Sequence, residues 1–247
     1  MRKLQESKPI WHAVIWIMAY ILLVNIGDNI SVSIGVESLA TVVLLIAFSI
    51  VLLIYIKKNS WFELYGFRKI KKSDLTKALF YIPLAVTIPL HYLRGIKYEL
   101  GFTGFLLAIL LMICVGFIEE AIFRGFLYQG ILKNSNKVRA VLVSGITFAI
   151  GHIVNLLRGY TSADQINQVV IGIFIGIALA LIVALTNNIL PCVLYHIFFN
   201  ISGTITNSDL RLETYMVIIT SVICLIYSIY LVKAFKLKKD SKSNLTM

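Results

Sequence analysis

Charge is what this chain has least of. Only 14% of its 247 residues are Asp, Glu, Lys or Arg, 59% are hydrophobic, and the mean hydropathy is +0.87. A soluble domain carries about a quarter charged residues, so an ordinary water-facing surface is excluded. Proline is scarce, with four residues, which excludes a proline-rich linker. No repeat at a fixed period and no low-complexity tract divides the chain, and one membrane domain, 1–247, is the simplest organisation. Cysteine is limited to Cys114, Cys192 and Cys224. All three lie inside apolar blocks, too far apart for a metal knuckle, and read as packing residues because a free Cys behaves as a small hydrophobe.

What the chain does have is apolar sequence in long blocks. A membrane helix needs about 20 mostly apolar residues. Eight blocks qualify: Ile10–Ile26, Val36–Ile56, Leu75–Tyr92, Gly104–Leu132, Val138–Leu157, Val169–Leu185, Ile189–Ile205 and Tyr215–Phe235. The expected fold is therefore an all-α, polytopic transmembrane helix bundle of about eight passes. The first block has the basic start of a signal peptide, in Arg2 and Lys3. Its length and its Trp11 and Trp16 favour a retained anchor.

The net charge is +11, but its placement argues against nucleic acid as a partner. In the eight-pass order one face receives Arg2, Lys3 and Lys8, then Lys57, Lys58, Arg68, Lys69, Lys71, Lys72 and Lys77. It also receives Lys133, Lys137 and Arg139, and finally Lys233, Lys236, Lys238, Lys239 and Lys242. The other face receives only Arg94, Lys97, Arg158 and Arg211. Positive loops stay cytoplasmic, so both termini are expected there, with the basic segments meeting anionic lipid head groups. Between Lys57 and Lys77, the aromatic residues Trp61, Phe62, Tyr65 and Phe67 fit either a helix lying in the interface or a simple basic loop. His12 and His91, near block ends, read as interfacial. Asn25 and Asp28 read as part of the first outer loop, and Arg158–Gln168 as another.

A charge at the centre of a membrane helix costs about 2.5 to 3.5 kcal/mol on insertion scales. Phe117-Ile118-Glu119-Glu120-Ala121-Ile122-Phe123-Arg124 places three in one block. Residues four apart share a helix face, so Glu120 and Arg124 can pair. Glu119 points elsewhere and is the better candidate for a working carboxyl. His152 ends the run Phe148-Ala149-Ile150-Gly151-His152 in the next block. Glu119 precedes Lys133 by 14 positions and His152 follows Arg139 by 13, so each lies roughly 20 Å from the basic face if the helices run straight. His196 and Asn200, again four apart, reach a similar depth past the polar turn Thr186-Asn187-Asn188. Such a cluster on three helices is a site within the bilayer, with approach expected from the cytoplasmic side. A lone histidine or an ion pair on an apolar helix is as often a packing feature, so the weight rests on the convergence.

Glu-Glu-x-x-x-Arg, Phe-x-x-x-His and His-x-x-x-Asn, in that order and each on its own block, resemble the pattern of the CAAX protease and bacteriocin-processing enzyme (CPBP, or Abi) family of intramembrane proteases. The resemblance covers about 104–203. It implies hydrolysis of a peptide bond within the membrane. In that reading Glu119 with His152 activates water, Glu120 and Arg124 orient the site, and His196 with Asn200 stabilises the oxyanion. Some descriptions of the family invoke a metal. The sequence names no cofactor, and a divalent ion such as zinc would find its candidate ligands in Glu119, His152 and His196, although no His-Glu-x-x-His element is present. The implied substrate is a hydrophobic or membrane-bound peptide or protein. Small size and short loops point to a bacterial cell membrane. Two other functions fit the same residues: a non-catalytic scaffold or bacteriocin-immunity protein, and a proton-coupled transporter. Paired halves with interrupted helices, expected of many transporters, are not evident. Oligomeric state is not encoded in any visible feature.

Overall fold

Hydrocarbon offers no partner to a backbone N–H or C=O, so long apolar blocks satisfy their own backbone as helices. The computed structural model describes residues 1–69, 78–154 and 162–243. Among the described residues it is all-helical, with one isolated antiparallel bridge between Ile96 and Thr206. The helices are α1 Arg2–Ser7, α2 Pro9–Ile34, α3 Leu39–Lys58, α4 Ile82–Ala85, α5 Gly101–Glu120, α6 Tyr128–Asn134, α7 Lys137–Gly151, α8 Ser162–Thr186, α9 Leu190–Thr204 and α10 Leu210–Ser243. A π-helical segment, Ala121–Leu127, joins α5 to α6 without a break.

Six helical stretches are long and apolar enough to cross a membrane: Pro9–Ile34, Leu39–Lys58, Tyr98–Asn134, Lys137–Val154, Gln165–Thr186 and Leu210–Lys233. They establish an integral membrane helix bundle. Two expected passes differ. Residues 75–77 lie outside the described ones, and Ala78 to Arg94 is not one regular helix but two 3-10 turns flanking α4. Pro83 and Pro89 supply the reason, since each lacks the N–H that a continuing helix would use. The seventh block, α9, has 15 residues. At 1.5 Å per residue that is about 22 Å, short of the roughly 30 Å hydrocarbon core.

Local chemistry marks the ends of the regular helices. Gly35, at φ +76°, closes α2 in the left-handed conformation, and its N–H and that of Val36 bond back to Ser31 O. Asn136 caps α7 by accepting from Arg139 N at 2.9 Å. At the Thr186-Asn187-Asn188 turn, Asn187 takes a positive φ and Asn188 Oδ1 accepts from Leu190 N at the start of α9.

The helices are apolar nearly all round, as expected where one face meets protein and the other lipid. On α2, Ile15, Met18, Leu22 and Ile26 are exposed while Ala13 and Trp16 are buried. The aromatic run after α3 is neither an interfacial helix nor a free loop. Trp61–Gly66 folds into turns that tuck under the bundle: Tyr65 is buried against Phe126, ring centroids 4.6 Å apart, and Gly66 O accepts from Ile189 N. Other readings also give way. His12 and His91 are buried rather than interfacial, with His12 Nε2 against Tyr55 Oη at 2.9 Å and His91 Nδ1 against Ser202 Oγ at 2.7 Å. Asn25 and Asp28 lie on α2, not in a loop, and Asp28 accepts from Thr41 Oγ1. Residues 162–168 extend α8, while Arg158 lies outside the described residues. All three cysteines are buried and free, as packing residues would be.

Small residues bring the helices that carry the site into close contact. A Cβ on Gly116 would fall 2.7 Å from Ile197 Cγ1, across the α5–α9 crossing. A Cβ on Gly145 would fall 2.9 Å from Ile177 N, and one on Gly176 2.7 Å from Gly145 O, across α7–α8. Gly145→Val must therefore push α7 from α8. Overpacking of this kind costs on the order of 1–3 kcal/mol, seen as a lower thermal unfolding midpoint in detergent. Val143→Ala, an exposed position on the same helix, should leave the midpoint nearly unchanged.

Candidate active site

The site is built around a turn that is not α-helical. π-helical turns are rare and concentrate at functional sites. Here the π segment follows Glu119 and Glu120 directly, and all seven of its residues are buried. Ser144 Oγ, from α7, donates to Phe123 O within this turn at 2.8 Å. That bond ties the widened turn to the neighbouring helix in a region where water cannot supply a donor.

Glu120 and Arg124 pair as their spacing predicts. Arg124 Nη1 lies 2.9 Å from Glu120 Oε1, both side chains being fully inaccessible. Arg124 Nη2 donates to Gly176 O at 3.2 Å, and the guanidinium sits 4.4 Å from the centre of the Phe148 ring. The close α7–α8 crossing thus delivers both a carbonyl and a ring face to the cation, and a cation–π contact gains strength when desolvated. His196 completes the cluster. Its Nδ1 lies 2.9 Å from Glu120 Oε1 and its Nε2 3.4 Å from Glu119 Oε2. With Nδ1–H donating to Glu120, Nε2 is left to face Glu119.

Glu119 stands apart, also as predicted. Its Oε1 accepts from Tyr20 Oη at 2.9 Å, and its Oε2 makes no hydrogen bond among the described residues. Nothing in the sequence marks Tyr20 for this contact. One tyrosine on the anchor-like first block gave no signal that α2 would cross 99 positions to reach Glu119. Phe148 was read only as a motif position. In the fold its ring stands edge-on to both His152, at 5.1 Å, and His196, at 5.4 Å, and spaces the two histidines.

Glu119, His152, His196 and Asn200 line one cavity of about 750 Å³, together with Tyr20 and Phe148. That volume falls in the range of ligand sites. Glu120 and Arg124 do not line it and lie behind. Glu119 contacts His196 and Tyr20, and His152, at the C-terminal cap of α7 beside Gly172 of α8, shares the cavity wall with it. The cavity extends to Glu37, Lys97, Ser208 and Glu213, at helix ends away from the lysine-rich segments. Depth measured from basic residues along straight helices gives a distance only; where the helix ends part decides the mouth.

A catalytic zinc takes three protein ligands. Glu120 Oε1 is already engaged by Arg124 and His196, which leaves Glu119 and the Nε2 edge of His196 facing each other. Among the described residues no group of three or more His, Cys, Asp or Glu side chains is placed to hold a metal ion. The donor set does not fit a zinc of this kind.

Residues 101–202 match the family model described as Type II CAAX prenyl endopeptidase Rce1-like. No curated protein and no solved structure matches the chain. The matched stretch runs from the start of α5 into α9 and contains every motif residue, from Glu119 to Asn200, but not Tyr20.

Removing one partner of a buried ion pair strands the other. Arg124→Met should cost about 3–5 kcal/mol and reduce the yield of monodisperse protein in detergent. Glu120→Gln added to Arg124→Met should restore part of that loss, which size-exclusion profiles and thermal unfolding would record.

Proposed function

The CAAX-protease family likeness of the 101–202 core is the premise on which we propose that this chain is an intramembrane endopeptidase working with water activated by Glu119. The supporting observation is the division within one cluster: Glu120, held by Arg124 and His196 through Oε1, lies behind the cavity, whereas Glu119, held by Tyr20 through Oε1, lines it. A general base must have a free atom within reach of the proton it takes.

The proposed steps use this chain's own groups. A substrate carbonyl enters the cavity between Glu119 and Asn200. Glu119 Oε2 takes a proton from water as the water oxygen bonds to the carbonyl carbon. The oxyanion so formed is met by the Asn200 amide and by His196 Nε2–H when that ring carries both protons, donors placed where charge develops. The C–N bond then breaks, and the proton held by Glu119 passes to the leaving nitrogen. Carboxylate and amine products result. Glu120 positions His196 through Nδ1, and Arg124 offsets the charge of Glu120. His152 shares the cavity wall and is a second candidate for proton transfer. Tyr20 is a positioning residue that holds Oε1 so that Oε2 turns inward. The substrate is a hydrophobic or membrane-bound peptide, and the setting is a bacterial cell membrane.

A second reading draws on the fully buried Glu120–Arg124 pair, which suits a non-catalytic scaffold or immunity protein equally well. The two readings part at Glu119. Purified protein incubated with a panel of apolar membrane peptides should cut at least one, as read by mass spectrometry. Glu119→Gln should lower the rate by about 10²-fold or more at unchanged protein level and unfolding midpoint. Retained function in the variant would instead support the scaffold.

Tyr20→Phe should give a milder effect. Loss of a hydrogen bond to a carboxylate is worth about 1.5–3 kcal/mol, so kcat should fall by roughly tenfold or more while KM changes little. The unfolding midpoint should change little, because Tyr20 acts through the orientation of Glu119. A merely structural tyrosine would lower that midpoint and leave kcat in place.

A further inference from the structure

The cavity lies among the ends of α3, α8, α9 and α10 and reaches inward to the middle of α2 and the late part of α5. It takes Ile17 to Asn25 from α2, Glu37 to Leu45 from α3 and its approach, Leu111 to Glu119 from α5, Asn167 to Ile175 from α8, Tyr195 to Thr204 from α9 and Ser208 to Val217 around the start of α10. In chain order these are the early parts of α3, α8 and α10 and the late part of α9. All converge on the face where α2 turns into α3 and α9 into α10. None of Lys57, Lys58, Lys133, Lys137, Arg139 or Lys233, at the other face, contributes to the lining.

The rim is a built structure. Arg94 is paired with Glu213, and its Nη2 donates to Gly203 O at 3.0 Å and Thr206 Oγ1 at 2.7 Å. The Ile96–Thr206 bridge and Asn207 Nδ2 donating to Arg94 O fasten the same two strands of chain. Polar and charged groups stand at the mouth, and Leu111, Val115, Ile171 and Ile175 stand deeper in.

Charge settles which side of the bilayer this face meets. Its described loops and helix ends carry Arg94, Lys97 and Arg211 against Asp28, Glu37, Glu99, Asp164, Asp209 and Glu213. The opposite helix ends carry Lys3, Lys8, Lys57, Lys58, Lys133, Lys137, Arg139 and Lys233, and the side rich in Lys and Arg stays cytoplasmic. We infer that the cavity is entered from the extracytoplasmic side, and that its occupant is an apolar peptide segment presented at that face. The occupant rests on the peptidase reading; the side of entry rests on charge and shape alone.

Single-cysteine labelling tests it. The three native cysteines are buried, so wild type serves as the unlabelled control. Ser208→Cys marks the mouth, Met112→Cys the interior wall, and Asn134→Cys the exposed end of α6 at the basic face. A membrane-impermeant maleimide added to intact cells should label Ser208→Cys and Met112→Cys but not Asn134→Cys, and inverted vesicles should reverse the pattern. An apolar synthetic peptide added outside should slow labelling of Met112→Cys several-fold, and a polar peptide of equal length should not. Labelling of Met112→Cys only in inverted vesicles, or from neither side, overturns the inference. Equal protection by both peptides overturns the assigned occupant. Adding Glu119→Gln to the labelled variants should leave every labelling result in place, so that failure of the peptidase reading and failure of this one give different results.

Discussion

The structure depends on keeping one arginine charge in the interior of a membrane bundle. An uncompensated charge there costs several kcal/mol, and Arg124 is fully inaccessible. Four helical elements meet to accommodate it. The α5–π junction provides Glu120, α7 provides the Phe148 ring, α8 provides the Gly176 carbonyl, and α9 provides His196 to share Glu120. None of these contacts forms unless the Gly145–Gly176 and Gly116–Ile197 approaches are as close as they are. Polar chemistry and small-residue packing are thus one constraint: the glycines shorten the distance, and the ion pair makes the shortened distance necessary.

The same constraint separates two adjacent glutamates that composition alone would treat alike. Consecutive helix positions point about 100° apart, so Glu120 turns into the sealed network and Glu119 turns to the cavity. His196 touches both and couples the sealed side to the open one. A buried network that fixes one histidine edge thus stands next to a carboxyl on the cavity wall.

Spacing made much of this readable in advance. Glu120 with Arg124 and His196 with Asn200 lie one helical turn apart, and a charged residue in an apolar block has few innocent explanations. The helical class and most helix positions followed from block length. What could not be read depended on tertiary approach. Tyr20 is one of many aromatics on apolar helices, and its role appears only when α2 packs beside α5 and the π segment. The break at Ala78–Arg94 was signalled by Pro83 and Pro89, but hydropathy averaged over a window hides single breakers. His12 and His91 looked interfacial because position along a block measures depth, not which way a ring turns.

Tyr20 has a consequence for what counts as the unit of inheritance in this architecture. The recognisable stretch, 101–202, holds all seven motif side chains. A fragment confined to it would still leave Glu119 Oε1 without its donor, because that hydroxyl arrives from a helix that begins at Pro9. Grafting the core onto other flanking helices would therefore carry both buried carboxyls across but not the hydroxyl that binds one of them. Divergence in the flanking helices can change the surroundings of an unaltered core.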